Sequence, residues 1–381
     1  MSTFESTDNL MIKRRMYIAD YLIIFFPKVI TKLVSEYDYC IEGKAHTFIL
    51  ENICVWSSEC VAILSNNQII CGSCDDLKIW KIKSGQQIEC ELTLKGHTSY
   101  VSCIDVLQDG RIVSGSHDTT LKIWKLQTDV LKQYSSDKID CELTLKGHSD
   151  YILSCSKLNY DNKCRIISTS LDGTLKIWNA QTGDCELTEK DDHFSWGSSF
   201  CVSSDNCHIV SGSTYKDTIR IWKLQTNRKN KLQIECELTF YSGPTECLSS
   251  LPGGRIISGS DKTLKIWNIQ QIFILERSSN HSTPDKHNCE LILNGHSNII
   301  RRCSVLPDGK VVSASCEGIL KIWNVQTDTL NNSYNQNSFD KCNCELTLDC
   351  RLGYEYLFFC DSFPDGRIVS ISDDRKLKIW S

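Results

Sequence analysis

The chain has 381 residues, of which 41% are hydrophobic and 23% are charged, with a formal net charge of −5 and a pI near 6.0. This acidic balance argues against nucleic-acid binding, which requires a basic footprint. The longest apolar run, residues 16–26, is shorter than the ~20 residues that cross a bilayer, which argues against a membrane protein.

The first 45 residues differ from all that follows. Residues 1–9 are polar, and residues 10–37 contain the apolar run, Pro27 and a second set of apolar residues at helical spacing. We predict a disordered start followed by short helices in an N-terminal extension that ends at residue 45. The simplest interpretation is that these helices pack on the rest of the protein.

From residue 46 onward the chain repeats one unit. The tetrapeptide Leu-Lys-Ile-Trp occurs six times, and Ile219-Arg220-Ile221-Trp222 is a seventh, related copy. Successive tryptophans lie 44, 54, 44, 45, 56 and 57 residues apart. A fixed unit of about 44 residues with insertions is typical of solenoids and propellers.

Each unit contains the pattern of four strands. The tetrapeptide alternates apolar and charged residues, which indicates a half-buried strand. A second strand precedes it (Arg111 to Ser116, for example) after a turn such as Asp109-Gly110, a third lies before that turn, and the recurring Cys-Glu-Leu begins a fourth. We therefore predict an all-β fold, a seven-bladed β-propeller over residues 46–381 with a short helical N-terminal extension.

The last unit supplies only three strands, because the chain ends one residue after Trp380. An unpaired sheet edge is a pairing hazard. The segment 46–50 precedes the first unit at the place where Cys-Glu-Leu-Thr-Leu stands before later units. We predict that residues 46–50 pair with residues 376–380 and close the ring.

Three units contain Gly-His before the first strand, namely Gly96-His97, Gly147-His148 and Gly295-His296, followed by an acid and then the tryptophan. These units resemble WD repeats. The resemblance implies hydrogen-bonded networks inside the blades, formed by His97, Asp118 and Trp124, by His148, Asp172 and Trp178, and by His296, Glu317 and Trp323. Glu317 replaces the usual aspartate, and we expect it to reach its histidine imperfectly.

The N-terminal extension carries two further resemblances. Phe26-Pro27, followed by Val29, Leu33, Ser35 and Tyr37, is similar to the opening helix of an F-box, which docks an adaptor of ubiquitin ligases. The region also looks like the junction in WD-repeat proteins of giant DNA viruses, where a BTB/POZ domain often precedes the repeats. These similarities imply a viral protein and, as an alternative function, an adaptor-binding segment at residues 10–37.

The chain contains 22 cysteines, most of which recur once per unit. Such residues are expected to be small buried hydrophobes, and copies in successive blades need not come within disulfide range. Cys71 and Cys74 have a metal-like spacing without a second pair nearby, so we predict no zinc. We expect free thiols and a cytoplasmic location.

Four polar insertions, at 127–139, 225–233, 271–287 and 326–342, follow tryptophan strands and show no periodicity. They are expected to be mobile loops on one face of the disc. On the opposite face, loop position selects eight residues for partner binding, with the aromatic ones as anchors: Tyr100, His117, Tyr151, Leu171, Trp196, Tyr215, Asn298 and Tyr354.

No phosphate-binding glycine loop and no His-Glu-x-x-His motif is present in the sequence, and the recurring histidines belong to the blade networks. We predict a non-enzymatic protein-protein interaction scaffold without a cofactor. The alternative is the substrate-receptor subunit of a ubiquitin ligase that binds its adaptor through residues 10–37.

Overall fold

The structure is a computed structural model that forms seven four-stranded sheets, the blades of a β-propeller. It describes residues 46–50, 60–65, 67–83, 87–126, 141–194, 198–202, 207–278, 289–325, 344–350, 356–373 and 376–380. The residues before 46, with their predicted helices, lie outside this range. No helix among the described residues is long and apolar enough to cross a membrane.

Blades 1 to 6 each use four strands that are consecutive in the chain, and neighbouring strands run antiparallel. Blade 1 contains β2 (Val61–Ser65), β3 (Gln68–Ser73), β4 (Asp76–Lys83) and β5 (Gln87–Leu94). Blade 2 contains β6 (Val101–Val106), β7 (Ile112–Ser116), β8 (Leu121–Trp124) and β9 (Leu143–Leu145). Blade 3 contains β10 (Ile152–Tyr160), β11 (Lys163–Ser170), β12 (Thr174–Asn179) and β13 (Cys185–Lys190).

The remaining blades follow the same plan. Blade 4 contains β14 (Ser198–Val202), β15 (His208–Ser213), β16 (Thr218–Thr226) and β17 (Leu232–Tyr241). Blade 5 contains β18 (Cys247–Leu251), β19 (Arg255–Ser260), β20 (Thr263–Asn268) and β21 (Leu291–Asn294), with helix α1 (Ile269–Ser278) after β20. Blade 6 contains β22 (Ile300–Val305), β23 (Val311–Ser315), β24 (Ile319–Trp323) and β25 (Cys344–Asp349).

Blade 7 combines strands from both ends of the described chain. It contains β26 (Leu357–Ser362), β27 (Ile368–Ser372) and β28 (Leu377–Trp380), and β1 (His46–Leu50) lies beside β28 as its outer strand. Val61 and Ile69 of blade 1 pack against Phe359 of blade 7 in one buried cluster, so the first and last blades are in contact. The ring is therefore closed.

The hydrophobic core is divided into clusters that lie between adjacent blades. Leu121 and Ile123 of blade 2 pack with Ile152 and Trp178 of blade 3, for example, and all four are buried. The alternation of the tetrapeptide explains this arrangement, because its two apolar residues and its tryptophan point into the interfaces on either side of a blade. Each blade thus depends on both neighbours for its burial, as in other repeat architectures.

The Cys-Glu-Leu motif has a structural role at the start of the fourth strand. Its glutamate pairs with a basic residue near the start of the second strand, as when Arg165 Nε donates to Glu186 at 2.5 Å. Two arginines in this position also reach the next blade: Arg111 Nη1 donates to the Ala180 carbonyl at 2.7 Å, and Arg255 Nη1 donates to the Val325 carbonyl at 3.1 Å. The motif therefore links strands within a blade, and Arg111 and Arg255 also link their blades to the following ones.

One insertion that was predicted to be a mobile loop, and the described part of another, form regular secondary structure. The segment 225–233 extends the β16–β17 hairpin, and the segment 271–287 begins within α1. The prediction of a loop at 271–278 was wrong because α1 is stabilised by contacts with another blade, which the local sequence does not show: Ile269 and Ile272 are buried against Phe240 of blade 4.

One pair of cysteines from successive blades is in direct contact. The Sγ atoms of Cys247 in β18 and Cys303 in β22 lie 3.3 Å apart, and both residues are buried free thiols. The first strands of adjacent blades converge towards the axis, which brings register-equivalent residues into contact there. The hydrogen bond with Cys247 and burial hold the pKa of Cys303 well above its usual value, so this thiol is protonated.

Candidate functional site

The loops that join successive blades and the turns between second and third strands lie at one end of every sheet, which we call the loop face. This placement follows from the antiparallel strand order, since alternate connections of an antiparallel sheet emerge at opposite ends. Among the described residues, the predicted network residues and partner-binding residues are on elements that reach the loop face. The ordered insertions belong to the other end.

In blades 2, 3 and 6 a chain of hydrogen bonds links tryptophan, serine, histidine and an acid. In blade 2 the Trp124 indole donates to Ser114 Oγ at 2.9 Å, Ser114 Oγ lies 2.8 Å from His97 Nε2, and His97 Nδ1 lies 2.8 Å from Asp118 Oδ2. The corresponding distances in blade 3 are 2.8, 2.8 and 3.0 Å, and those in blade 6 are 2.8, 2.7 and 2.5 Å.

The network determines the proton positions on each histidine. The carboxylate accepts from Nδ1, so Nδ1 carries a proton, and Ser114 donates its hydroxyl hydrogen to Nε2 while it accepts from the indole. Burial lowers the pKa of His148 and of His296 despite the neighbouring acid, which keeps these imidazoles neutral. Burial would raise the pKa of Asp172, but hydrogen bonds from Thr174, Ser149 and His148 outweigh it and lower the pKa to about 2.

The acid of each network also holds the loop in front of the blade. Asp118 accepts the backbone N–H of Thr98 at 3.0 Å and the N–H of Thr120 at 2.9 Å, so it joins the inter-blade loop to the turn. The preceding glycine lets the tryptophan approach this loop, because a Cβ atom at Gly96 would lie 3.0 Å from Trp124 Cη2. The two loop-face segments of blade 2 are thereby fixed relative to each other.

Glu317 in blade 6 binds its histidine fully, which contradicts the expectation of imperfect reach. Its Oε1 lies 2.5 Å from His296 Nδ1, and its Oε2 accepts the Ser297 backbone N–H at 2.9 Å as well as the Ser297 hydroxyl. Burial opposes ionisation, but hydrogen bonds from Ser297 and His296 lower the pKa of Glu317. The longer side chain therefore reproduces the contacts of the aspartate with the histidine and with the loop N–H.

Blade 4 uses its histidine in the opposite tautomer. Ser211 Oγ lies 3.0 Å from His193 Nδ1, and His193 Nε2 lies 3.2 Å from the Thr218 carbonyl, which can only accept. Nε2 therefore carries the proton. Burial and the Arg220 charge lower the pKa of His193 to about 4. The nearby acid, Asp191, pairs with Arg220 at 2.5 Å and accepts the His193 backbone N–H at 2.8 Å, and it does not bond the imidazole.

Blade 1 has the least complete network among the described residues. In the other six blades a second-strand serine accepts from the indole, as Ser258 does from Trp267 at 2.9 Å in blade 5. In blade 1 Cys71 occupies this register position opposite Lys78, and the Trp80 indole nitrogen is buried without a hydrogen-bond partner in the part of the chain that the structure describes. Burial raises the pKa of the Cys71 thiol to about 12.

The structure brings three of the predicted partner-binding residues together across blades 2 and 3. The His117 ring stacks on the Tyr151 ring, with 4.4 Å between centroids and 6° between planes. The His117 and Tyr100 rings meet edge to face, with 6.1 Å between their centroids. Both tyrosines are 44% exposed, whereas burial lowers the pKa of His117. We call these three residues the aromatic patch.

The other predicted residues are not shown to join this patch. Leu171 is half-buried and donates its N–H to the Tyr151 carbonyl at 3.0 Å, so it lies next to the patch on the blade 3 side. Asn298 is on blade 6, and Tyr215, 85% exposed, is on the blade 4 turn. Trp196 and Tyr354 lie outside the described residues.

The sequence analysis missed Tyr356, which occupies the same place in blade 7 as Tyr100 and Tyr151 do in theirs. Its carbonyl accepts the Asp373 N–H at 2.9 Å, as the Tyr100 carbonyl accepts the His117 N–H at 2.9 Å, and its side chain is 51% exposed. The signal was available, because each of these tyrosines immediately precedes the buried residue that begins the first strand.

The histidine, serine and acid groups recur from blade to blade with the same hydrogen bonds, which supports a structural role. A hydrolytic triad needs a serine that is free to attack, but Ser114 and Ser168 each accept a tryptophan N–H and sit fully buried. Within the described ranges, no group of three or more His, Cys, Asp or Glu residues is arranged to hold a metal ion.

Part of the chain matches a known family model. Four segments match the family model "WD domain, G-beta repeat": residues 88–125, 139–179, 235–268 and 287–324. Three of these segments contain the complete networks of blades 2, 3 and 6, and the fourth contains the Trp267–Ser258 pair of blade 5.

Curated relatives match over shorter stretches. The chain is 30% identical over 122 residues to "Ribosome biogenesis protein YTM1" of Vanderwaltozyma polyspora, covering 30% of this chain and 25% of that protein. It is 32% identical over 116 residues to "Mitochondrial division protein 1" of Kluyveromyces lactis, covering 29% of this chain and 16% of that protein. It is 27% identical over 146 residues to "WD repeat-containing protein pop2" of Schizosaccharomyces pombe, covering 32% of this chain and 20% of that protein. The match thus spans a quarter or less of these relatives.

A solved structure agrees over nearly the whole chain. The WD40 β-propeller domain of Doa1 has a TM-score of 0.63 with this chain at 18% identity, covering 90% of this chain and 98% of that one. This agreement concerns the fold alone. The comparisons do not test the predicted resemblance to proteins of giant DNA viruses or to an F-box.

Proposed function

We propose that this chain, a WD-repeat β-propeller, is a non-enzymatic protein-interaction scaffold whose partner docks on the aromatic patch. WD-repeat propellers generally mediate protein-protein interactions. The observation that carries the proposal is the stack of His117 on Tyr151, which joins two half-exposed tyrosines from adjacent blades into one surface.

The patch has the properties of an interaction anchor. Tyrosine combines a large apolar contact area with a polar hydroxyl and few rotatable bonds, and it is enriched among the residues that dominate binding energy. The loops that carry Tyr100 and Tyr151 are held by Asp118 and Asp172 through the backbone N–H groups of the residues two positions earlier. Little conformational entropy is therefore lost when a partner binds there.

The test uses partners captured with the full-length protein and then purified. The double variant Tyr100→Ala/Tyr151→Ala should weaken binding of a scaffold partner at least tenfold in calorimetry, because alanine removes both anchors. Ile274→Ala is the matched control, since Ile274 is also an exposed hydrophobic residue, 66% exposed, but lies on α1 after a third strand. Circular dichroism should show unchanged folding in both variants.

Two results would decide against the proposal. If the captured partners bind the double variant as tightly as the wild-type protein, the patch is not the docking surface. If the control variant loses the same partners to the same extent, the loss reflects general surface hydrophobicity.

The alternative function, a substrate receptor of a ubiquitin ligase, depends on residues 10–37, which lie outside the described residues. It is tested by pull-down of a ligase adaptor with the full-length protein and with a variant that lacks residues 1–37. Retention by the first and loss by the second would support it. The proposed scaffold is cytoplasmic and binds proteins or peptides without a cofactor, nucleic acid or membrane, and the free thiols of the described cysteines are compatible with that location.

A further inference from the structure

The hairpin of blade 4 extends past its sheet as a two-stranded ribbon. After Trp222, strands β16 and β17 stay paired: Leu224 pairs with Ile234, Gln225 with Gln233 and Thr226 with Leu232. Leu224 is buried, and Ile234 packs with it against the side chains of blade 3. The ribbon is therefore anchored on the neighbouring blade.

The turn at the end of the ribbon is ordered by a single asparagine. Asn227 donates its N–H to the Lys231 carbonyl at 2.9 Å, and its Oδ1 accepts the N–H groups of Lys229 at 2.9 Å and Lys231 at 3.1 Å. Asn230 takes the left-handed conformation, with φ of 56°, which asparagine tolerates better than most residues. The turn thus presents its side chains from a fixed backbone.

This turn concentrates positive charge on an acidic protein. Arg228, Lys229 and Lys231 are all exposed, and none of them forms an ion pair with another described residue. The chain as a whole carries a formal net charge of −5. We call these three residues the basic tip.

We propose that the basic tip binds a short acidic segment of a partner protein. Three cations on a rigid turn attract carboxylates, and the ordered backbone reduces the entropy lost on binding. The tip belongs to a connection between third and fourth strands, whereas the aromatic patch belongs to the loop face, so the two surfaces lie at opposite ends of the sheets. The proposal is thus independent of the aromatic patch.

The charge pattern of the ribbon favours a peptide over a nucleic acid. Glu235 and Glu237 follow the tip on the same strand, and Glu237 pairs with Lys223 at 2.9 Å. The positive footprint therefore ends within one turn. A duplex carries one phosphate charge for every ~1.7 Å of its axis and would extend over the acidic stem, whereas a few carboxylates fit on the tip alone.

The experiment measures binding of a fluorescein-labelled peptide of eight glutamates to the full-length protein by fluorescence anisotropy. The tip variant Arg228→Gln/Lys229→Gln/Lys231→Gln should bind at least tenfold more weakly, since three exposed ion pairs are lost. The control variant Lys146→Gln/Lys190→Gln/Lys262→Gln removes the same number of exposed positive charges elsewhere and should change affinity less than twofold. Binding to the wild-type protein should weaken when NaCl rises from 50 to 300 mM.

Three outcomes overturn the proposal. Equal weakening by both variants means that overall charge attracts the peptide. No binding by the wild-type protein at 50 mM NaCl means that the tip has no affinity for carboxylates. Tighter binding of an RNA duplex or of vesicles containing phosphatidylserine, lost in the tip variant, means that the partner is a different polyanion. The variant Tyr100→Ala/Tyr151→Ala should bind the peptide like the wild-type protein, which separates this result from the fate of the scaffold proposal.

Discussion

The substitution Cys71→Ser should stabilise the protein, because it gives the Trp80 indole the acceptor that it lacks. In blades 2 to 7 a serine at this position accepts the indole N–H at 2.8 to 2.9 Å. A buried polar group left unpaired costs about 1–3 kcal/mol. The hydroxyl is harder to bury than the thiol, which offsets part of this gain. We expect a net increase of about 1 kcal/mol in the free energy of unfolding.

Urea unfolding measures this change, and two further variants test its cause. In a Trp80→Phe background no indole is present, so Cys71→Ser should no longer stabilise, and the double-mutant cycle isolates the hydrogen bond. Ser258→Cys makes the reverse change in blade 5, where the Trp267 indole bonds a serine that has no histidine partner among the described residues. This variant should lower the free energy of unfolding by about 1 kcal/mol. If Cys71→Ser is as stabilising in the Trp80→Phe background as in the wild-type protein, the indole is not the cause and the reasoning fails.

Three further predictions follow from the networks and the ring. Asp118→Ala and Glu317→Ala should each lower the free energy of unfolding by about 1–3 kcal/mol, because each leaves a buried histidine and a loop N–H unpaired; negligible losses at both sites in urea unfolding would contradict the network. The free energy of unfolding should fall as pH drops below 6.5. Below this pH the histidines of the unfolded chain take up protons, whereas buried histidines such as His193, with a pKa of about 4, stay neutral in the folded protein. Urea midpoints unchanged between pH 7.5 and 5 would show that this linkage is absent. Deleting residues 1–51 removes β1 and should cause aggregation, whereas deleting residues 1–37 should not; equal solubility and melting temperature of the two truncations would rule out a latch.

The blades could be predicted from the sequence because their signals recur. A single Leu-Lys-Ile-Trp stretch is compatible with many folds, but seven copies in register with turns and Cys-Glu-Leu leave little choice. The same recurrence assigned His97 and His148 to structure. Features that occur once were missed: α1 depends on burial of Ile269 and Ile272 against another blade, and no local pattern shows that contact.

The candidate site was predictable in its elements but not in its contacts. Loop position selected Tyr100, His117 and Tyr151, yet only the approach of adjacent blades shows that His117 stacks on a tyrosine of the next blade. The reach of Glu317 was misjudged for a similar reason. Whether one additional methylene helps or hinders depends on the distance between two loops, which the sequence does not contain.

Blade 6 separates the structural role of the networks from the role of the aromatic patch. Glu317 binds the histidine and the loop N–H as Asp118 does in blade 2. Ile299 stands where blade 2 has Tyr100, and the Ile299 carbonyl accepts the N–H of the turn residue Cys316 at 2.8 Å in the same way. The network therefore forms without a tyrosine at this position. Since neither the network nor the backbone contact requires the exposed rings of Tyr100 and Tyr151, their contribution is to the surface that the networks hold in place, which is the property that a docking site needs.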